Sequence, residues 1–398
     1  MKITGVRFVR VQGTWEYDGP LSEERLVRPV DIYPEFRAMG ATSANYSVSG
    51  SGSPYKVSHI FLFIDTDEGV SGMRGPVQES LCHIIANQFR SILVGEDPHA
   101  IERIWDKMYR QAIHGRKGET MMAISAVDLA LWDLKGKLLG APVYQLLGGP
   151  SRDSIRAYAS MLGHSIEPDK VRERARAVVE AGYTATKWFF RHDPTEGEAG
   201  ARKNLELVRN VREAVGPDVE IMFDAWSSWD VPYTLKMAER MREYRPWWIE
   251  EPVMADMIPQ YAELRREVKG IAISGGEHEY TRWGIKALLD ARAVDVMQAD
   301  PTWAGGITEM LKIAALTSAN GIPLIPHHGA MASTQLIASQ TITTCPIQEW
   351  LIQSGKMGQV FLTYQIEPKN GYIELPTAPG MSMELNDDMI ESRQELKL

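Results

Sequence analysis

Hydrophobic and polar positions along this chain change rhythm twice. Residues 2–12 (KITGVRFVRVQ) and 57–65 (VSHIFLFID) alternate with a period of two, as strands with one face on a core do. DEGVSG after the second run predicts a turn into a third strand. Over residues 76–113 (VQESLCHIIANQFRSIL, then PHAIERIWDKMYRQ) apolar positions recur every three or four residues, which predicts helices. The spacing continues through ETMMAISAVDLALWDLKGKLLGAPVYQLLGG, a buried-face helix ended by Gly140 and Pro142. From Ser154 the rhythm becomes short apolar or β-branched runs: SIRAYASML, YTATKWFF, VEIMFD, PWWIE, IAISGG, VDVMQ, IPLIP and PIQEW. Helical patterns such as KNLELVRNVREAVG, PYTLKMAERMREY and GGITEMLKIAALTSANG separate the middle ones.

Strands alternating with helices predict a parallel sheet, and eight of them predict a closed (β/α) barrel of the α/β class. An open doubly wound sheet is the alternative. It calls for a glycine-rich phosphate turn after its first strand, and SMLGHSIEPD is not that fingerprint. The expected layout is an α+β domain over 1–125, the barrel over 126–355, and a tail over 356–398 that packs back on the first domain. Residues 13–56 have no helical period but carry Arg25, Arg28, Tyr33, Phe36, Arg37 and Tyr46. So long a segment inside a compact domain suits a loop covering a site; the bland alternative is a surface excursion with no role.

Composition narrows the classes. A net charge of -9 over 398 residues argues against nucleic acid or an anionic membrane as the main partner. Two distant cysteines, Cys82 and Cys345, form no disulfide framework and suit a reducing compartment. The N-terminus reads as a strand rather than a signal peptide, and no apolar run approaches the roughly 18 residues of a membrane span. A soluble cytoplasmic protein is expected.

Strand ends at the C-terminal face of a barrel form its site. Three successive runs close on Asp224, Glu250 and Glu277, with gaps of 26 and 27 residues, about one strand–helix step. Acids converging there repel one another unless a cation joins them, and all-oxygen ligation favours Mg²⁺, with Mn²⁺ as a substitute. A single strand-end acid is as well explained as a solvated loop carboxylate; three in register are not. Asp300 and His327 stand 27 residues apart on neighbouring strand ends, which suits a carboxylate orienting an imidazole, with His328 the other candidate. Lys187, Trp188 and Phe189 end strand two, His278 follows Glu277, and Glu349 ends strand eight.

Together AISAVDLALWDLKGKLLGAPVYQLLGG, the three acids, VDVMQADPTWAGGITE and the PHH segment resemble the enolase superfamily, mandelate racemase subgroup, over nearly the whole chain. The resemblance implies an α+β capping domain over a modified TIM barrel, a homo-oligomer, and one Mg²⁺ held by Asp224, Glu250 and Glu277. It implies a His327–Asp300 dyad, a substrate-facing Glu349, and a supporting place for Glu251. Racemases of the subgroup carry Lys-x-Lys on strand two; here the segment is KWF, with Lys187 first and Phe189 second. One base on one face points to elimination rather than racemisation. IYPEF, KWF, DAWSSW, GGEHEYTRWG and TWAGGITE are most similar to the L-rhamnonate dehydratase branch, which dehydrates sugar acids.

In that reading His327 takes the α-proton and then protonates the departing 3-hydroxyl, giving a 2-keto-3-deoxy acid. Glu349 acts as a protonated donor to the carboxylate, His278 contacts a hydroxyl or assists departure, and Lys187 gives electrostatic support or contacts the substrate. Arg28, Arg37, Trp188 and Trp226 are the expected substrate contacts. The branch supplies a histidine from its capping loop, whereas residues 1–58 here contain none, so L-lyxonate stands beside L-rhamnonate as substrate. A racemase or epimerase using Lys187 as second base, and a non-catalytic barrel, are the competing functions.

Overall fold

The computed structural model describes residues 1–39, 47–49, 53–328 and 330–398. Tyr46 and the middle of the 13–56 segment lie outside the described residues.

Alternation builds the first sheet. β1 (Ile3–Trp15), β2 (Ser47–Ser49), β3 (Tyr55–Thr66) and β4 (Ser71–Arg74) form an antiparallel sheet in which β1 and β3 pair along their whole lengths. Its apolar face packs on helices Ile101–Gln111 and Glu119–Leu139. The long helix ends where the sequence predicts, at Gly140 with φ 63°, a left-handed turn that glycine adopts without strain. Asp133 on it accepts the N–H groups of Met73 and Met381, each at 2.8 Å, and pairs with Lys137 at 2.6 Å. One buried carboxylate thus fastens β4 and the C-terminal tail to the same helix.

Seven parallel strands form the second sheet: β5 (Ser154–Ser160), β6 (Ala185–Phe189), β7 (Glu220–Asp224), β8 (Trp248–Glu250), β9 (Ala272–Gly275), β10 (Val296–Met297) and β11 (Gln348–Leu351). They are ordered β10-β9-β8-β7-β6-β5-β11. The gap between β10 and β11 is bridged by IPLIP, predicted as a full strand and observed as a single bridge, Met297 to Leu324. Ile325 N–H donates to Met297 O at 2.8 Å, and Leu324 N–H to Thr344 O at 2.8 Å. Pro323 and Pro326 flank this pair and have no N–H to extend the ladder, so the seventh strand stays minimal. The tail divides between the sheets. β12 (Tyr372–Glu374) joins the start of β5, and β13 (Ser392–Glu395) joins β1. No helix among the described residues is long and apolar enough to cross a membrane.

The period of two decides what the barrel holds. Tyr158, Ala185, Met222, Trp248, Ala272, Val296, Ile325 and Ile347 pack together as one apolar layer inside it. Two residues further along the same eight segments stand Ser160, Lys187, Asp224, Glu250, Ser274, Gln298, His327 and Glu349. Each strand therefore seals the barrel with one side chain and offers a polar one on the same face, above the seal.

Candidate active site

Asp224, Glu250 and Glu277 offer ligand oxygens all within 4.8 Å of one another. The first two come straight from the polar layer. Glu277 arrives through a turn at Gly275–Gly276, where Gly276 has φ 106°. Two of the acids are aimed by hydrogen-bonding neighbours. Asp224 accepts the N–H of Trp226 at 2.7 Å, and Glu250 accepts Trp248 Nε1 at 2.8 Å and Gln298 Nε2 at 2.7 Å. Burial and mutual repulsion push Asp224 well above the usual carboxylate range and Glu277 up to about 7. A compact, buried, all-oxygen set of three acids fits a hard divalent cation.

This has a measurable consequence. The folded-state value of Glu277 lies above its unfolded one, so its contribution to stability is full below the ordinary carboxylate range and is lost as pH rises through about 7. An ion binding the charged form restores it. The rise in Tm on adding Mg²⁺ is expected to grow from about pH 5 to about pH 8. A rise independent of pH would remove these acids as ligands.

Lys187 lies beneath the cluster, 1% exposed. Its Nζ is 2.5 Å from Glu250 Oε1, 3.0 Å from Glu349 Oε1 and 3.8 Å from Asp224 Oδ2. Burial works against its charge, but Glu250 and Glu349 outweigh this and hold it well above the ordinary lysine range. Glu349 departs from the expectation of a protonated donor. Burial opposes its ionisation, yet Lys187, His327 and the N–H of His328 (3.0 Å) bring it down to about 2. Lys187 donates its hydrogen bond to Glu250 and meets Glu349 as an ion pair.

Two imidazoles stand beside the acids, each held through Nδ1 by a carboxylate. His327 is 2.8 Å from Asp300 Oδ2, and His278 is 2.7 Å from Glu251 Oε2. Asp300 is itself fixed by the N–H and hydroxyl of Thr302 at 2.5 and 2.6 Å. The free Nε2 of His327 lies 3.6 Å from Glu277. Burial lowers both imidazoles, and the surrounding acids more than reverse this, to about 10 for His327 and about 9 for His278. His328 turns its backbone N–H to Glu349, and of the two neighbouring histidines it is His327 whose ring pairs with Asp300.

Sequence reasoning missed two residues, Trp303 and Gln298, and the pairing of a third, Glu251. Trp303 lies between the imidazoles, its ring tilted against both, 4.9 Å from His327 and 5.6 Å from His278. Gln298 holds Glu250, and its position was readable from the same count of two along VDVMQ. Glu251 orients His278, a pairing of two strand ends that no spacing rule singles out.

The expected substrate contacts divide. Trp226, with φ 40°, stands at the mouth with its ring 5.8 Å from His278. Trp188 is a correction. One position off the inward register of Lys187 and Phe189, it is buried in the core on the outer side of the strand. Arg37 is a second correction: it holds Asp31 O at 3.0 Å in its own loop and Thr195 and Asp193 (3.3 Å) in the segment after β6, so it ties the loop to the barrel. Arg28 is likewise turned to that loop, 3.7 Å from Asp31. Arg25 is the loop's internal staple, donating to Asp31 at 2.5 Å and to the carbonyls of Phe36, Arg37 and Met39. Glu23 N–H to Gly163 O (2.7 Å) and Val27 N–H to Phe190 O (2.7 Å) lay the loop across the ends of β5 and β6.

Carboxylates, imidazoles and an ammonium gathered above one sealed layer define a class, a barrel enzyme built for proton transfer beside a divalent ion. Its relationships agree. The chain belongs to the mandelate racemase / muconate lactonizing enzyme family of enolase-like proteins: residues 170–389 match the model described as enolase C-terminal domain-like, and residues 44–148 match the mandelate racemase / muconate lactonizing enzyme N-terminal domain. It is 32% identical to an L-rhamnonate dehydratase of Saccharopolyspora erythraea, covering 98% of either chain. Among solved structures it resembles the rhamnonate dehydratase of Gibberella zeae complexed with Mg, with TM-score 0.82 and 28% identity over 98% of this chain and 95% of that one. It also resembles the 3,6-anhydro-D-galactonate cycloisomerase of Zobellia galactanivorans, with TM-score 0.78 and 26% identity over 98% of this chain and all of the other.

Proposed function

We propose that this protein is a hydro-lyase that dehydrates a sugar acid, an aldonate such as L-rhamnonate or L-lyxonate, to a 2-keto-3-deoxy acid. The observation that carries the reading is a one-sided base. The His327–Asp300 pair has its free nitrogen at the acid cluster, while the inward position that a second strand-two base would use is Phe189, which has no proton to exchange.

Asp224, Glu250 and Glu277 would hold Mg²⁺. Bound there, the ion would supply positive charge that stabilises the enediolate oxygens and offsets the charge of Glu277 on His327. His327 removes the proton α to the carboxylate, held in the right tautomer by Asp300. Its imidazolium then protonates the 3-hydroxyl, which leaves as water with the C3–O bonding pair. The enol that remains takes a proton at C3, releases its O2 proton to water and becomes the ketone. Lys187 donates to the substrate carboxylate, with Glu349 keeping the lysine charged and in place. His278, charged near neutral pH by Glu251, contacts a substrate hydroxyl, and Trp226 and Trp303 wall the space between the histidines.

The test is a panel of aldonic and aldaric acids incubated in D₂O. A 2-keto-3-deoxy product is expected from at least one aldonate. Exchange of the α-proton with inversion and no keto product would replace this reading with a racemase or epimerase using Lys187.

A further inference from the structure

The segment Asp300–Gly306, which carries Asp300 and Trp303, is fastened largely from helices Ile101–Gln111 and Glu119–Leu139. Both lie inside residues 44–148 that match the N-terminal domain of the family, which moves the domain boundary past the expected residue 125. Ser125 Oγ accepts the N–H of Gly305 at 2.9 Å, and Trp105 Nε1 donates to Gly305 O at 2.8 Å. Asp128 Oδ2 accepts the N–H of Thr308 at 3.1 Å, and Trp132 Nε1 donates to Thr308 Oγ1 at 2.9 Å. Within the barrel the segment is also tied by Thr281 N–H to Ala304 O at 3.1 Å.

Two glycines make the outside support matter. Gly305 (φ 124°) and Gly306 (φ 78°) turn the chain into helix Gly306–Ala319, and glycine brings no stiffness of its own. The helix has no side-chain cap from its own N-cap residue. A carboxylate from another domain takes that place, at the end of the helix where negative charge is favoured. The fit is close: a Cβ on Gly306 would overlap the Asp128 side chain. Asp128 is fully buried, with Oδ1 left without a partner, and burial pushes its carboxyl up to about 7. Five residues on, Asp133 grips β4 and the tail.

We propose that Asp128 is a positioning residue of the reaction, an inter-domain helix cap that sets where Asp300 and Trp303 stand against His327. The inference rests on reading His327 and Asp300 as the working dyad. Orientation is the quantity at stake, since misplacement by about 1 Å can cost on the order of a hundredfold in rate.

The experiment compares Asp128→Ala with Asp128→Asn in the full, Mg²⁺-loaded protein. Amide hydrogen exchange over residues 300–308 is read without substrate, and kcat and KM are read on L-rhamnonate. Asp128→Ala is expected to speed exchange at Gly305–Thr308 and lower kcat by about 10- to 100-fold, with KM and Mg²⁺ affinity within about two-fold. Asp128→Asn keeps an acceptor for Thr308 and is expected to recover most of both. Unchanged exchange in a folded Asp128→Ala, unchanged kcat, or an asparagine variant as impaired as alanine would overturn the proposal. Wild-type protein that fails to turn over L-rhamnonate would count against that substrate, and the exchange arm would still decide the clamp. Should Asp128→Ala not fold, Ser125→Ala removes only the acceptor for Gly305 and carries the same two readouts.

Discussion

Replacing His327 with asparagine is expected to abolish exchange of the substrate α-proton with solvent while leaving Mg²⁺ affinity nearly unchanged. Asparagine keeps a polar group near Asp300 but cannot take a proton at neutral pH. Positioned acid–base groups contribute about 10²- to 10⁴-fold, so exchange should fall by about that factor. The metal oxygens are untouched, because His327 meets Glu277 only at 3.6 Å. Proton exchange measured by NMR in D₂O, beside Mg²⁺ titration by calorimetry, separates the two effects. Surviving exchange would pass the role of base to Lys187, His278 or His328. Lys187 is the weakest of these, since Glu250 and Glu349 hold its ammonium charged.

Glu277→Gln is expected to remove Mg²⁺ binding and turnover together. The change keeps the side chain's volume but deletes one of three charges, and carboxylate count moves divalent affinity by orders of magnitude. The sign of a second effect makes the test specific. In the metal-free protein Glu277 is a buried acid pushed up to about 7, so neutralising it should raise, not lower, the Tm without Mg²⁺ near neutral pH. A merely structural acid would show the reverse, because its loss would leave hydrogen bonds unmade. Retained Mg²⁺ affinity in Glu277→Gln would refute the ligand set.

How much of this was legible depended on whether a property is local. Apolar runs ending in Asp224 and Glu250 announce a barrel mouth because strand period and strand end are both written in a few consecutive residues. Trp188 shows the limit of reading a strand end without its faces. KWF put three side chains at one place in sequence, and the pleat sends Lys187 and Phe189 inward and Trp188 to the core. The arginines failed for another reason. Arg28 and Arg37 are drawn on by Asp31, Asp193 and nearby carbonyls, and a loop without period gives no direction to a side chain. The seventh strand shrank to one bridge at Leu324 because its flanking prolines lack ladder donors.

Sequence by itself determined the alternation that builds eight barrel segments, the even spacing of three carboxylates, and Phe189 where a second base would stand. These follow from residue type and short-range period. Only the tertiary structure decided that Glu251 serves His278, that Glu349 is ionised beside Lys187, and that Trp303 lies between two imidazoles. It also decided that Asp128 reaches across domains to cap the helix behind Asp300. Protonation and orientation depend on burial and on neighbours far apart in the chain, and folding alone brings those together.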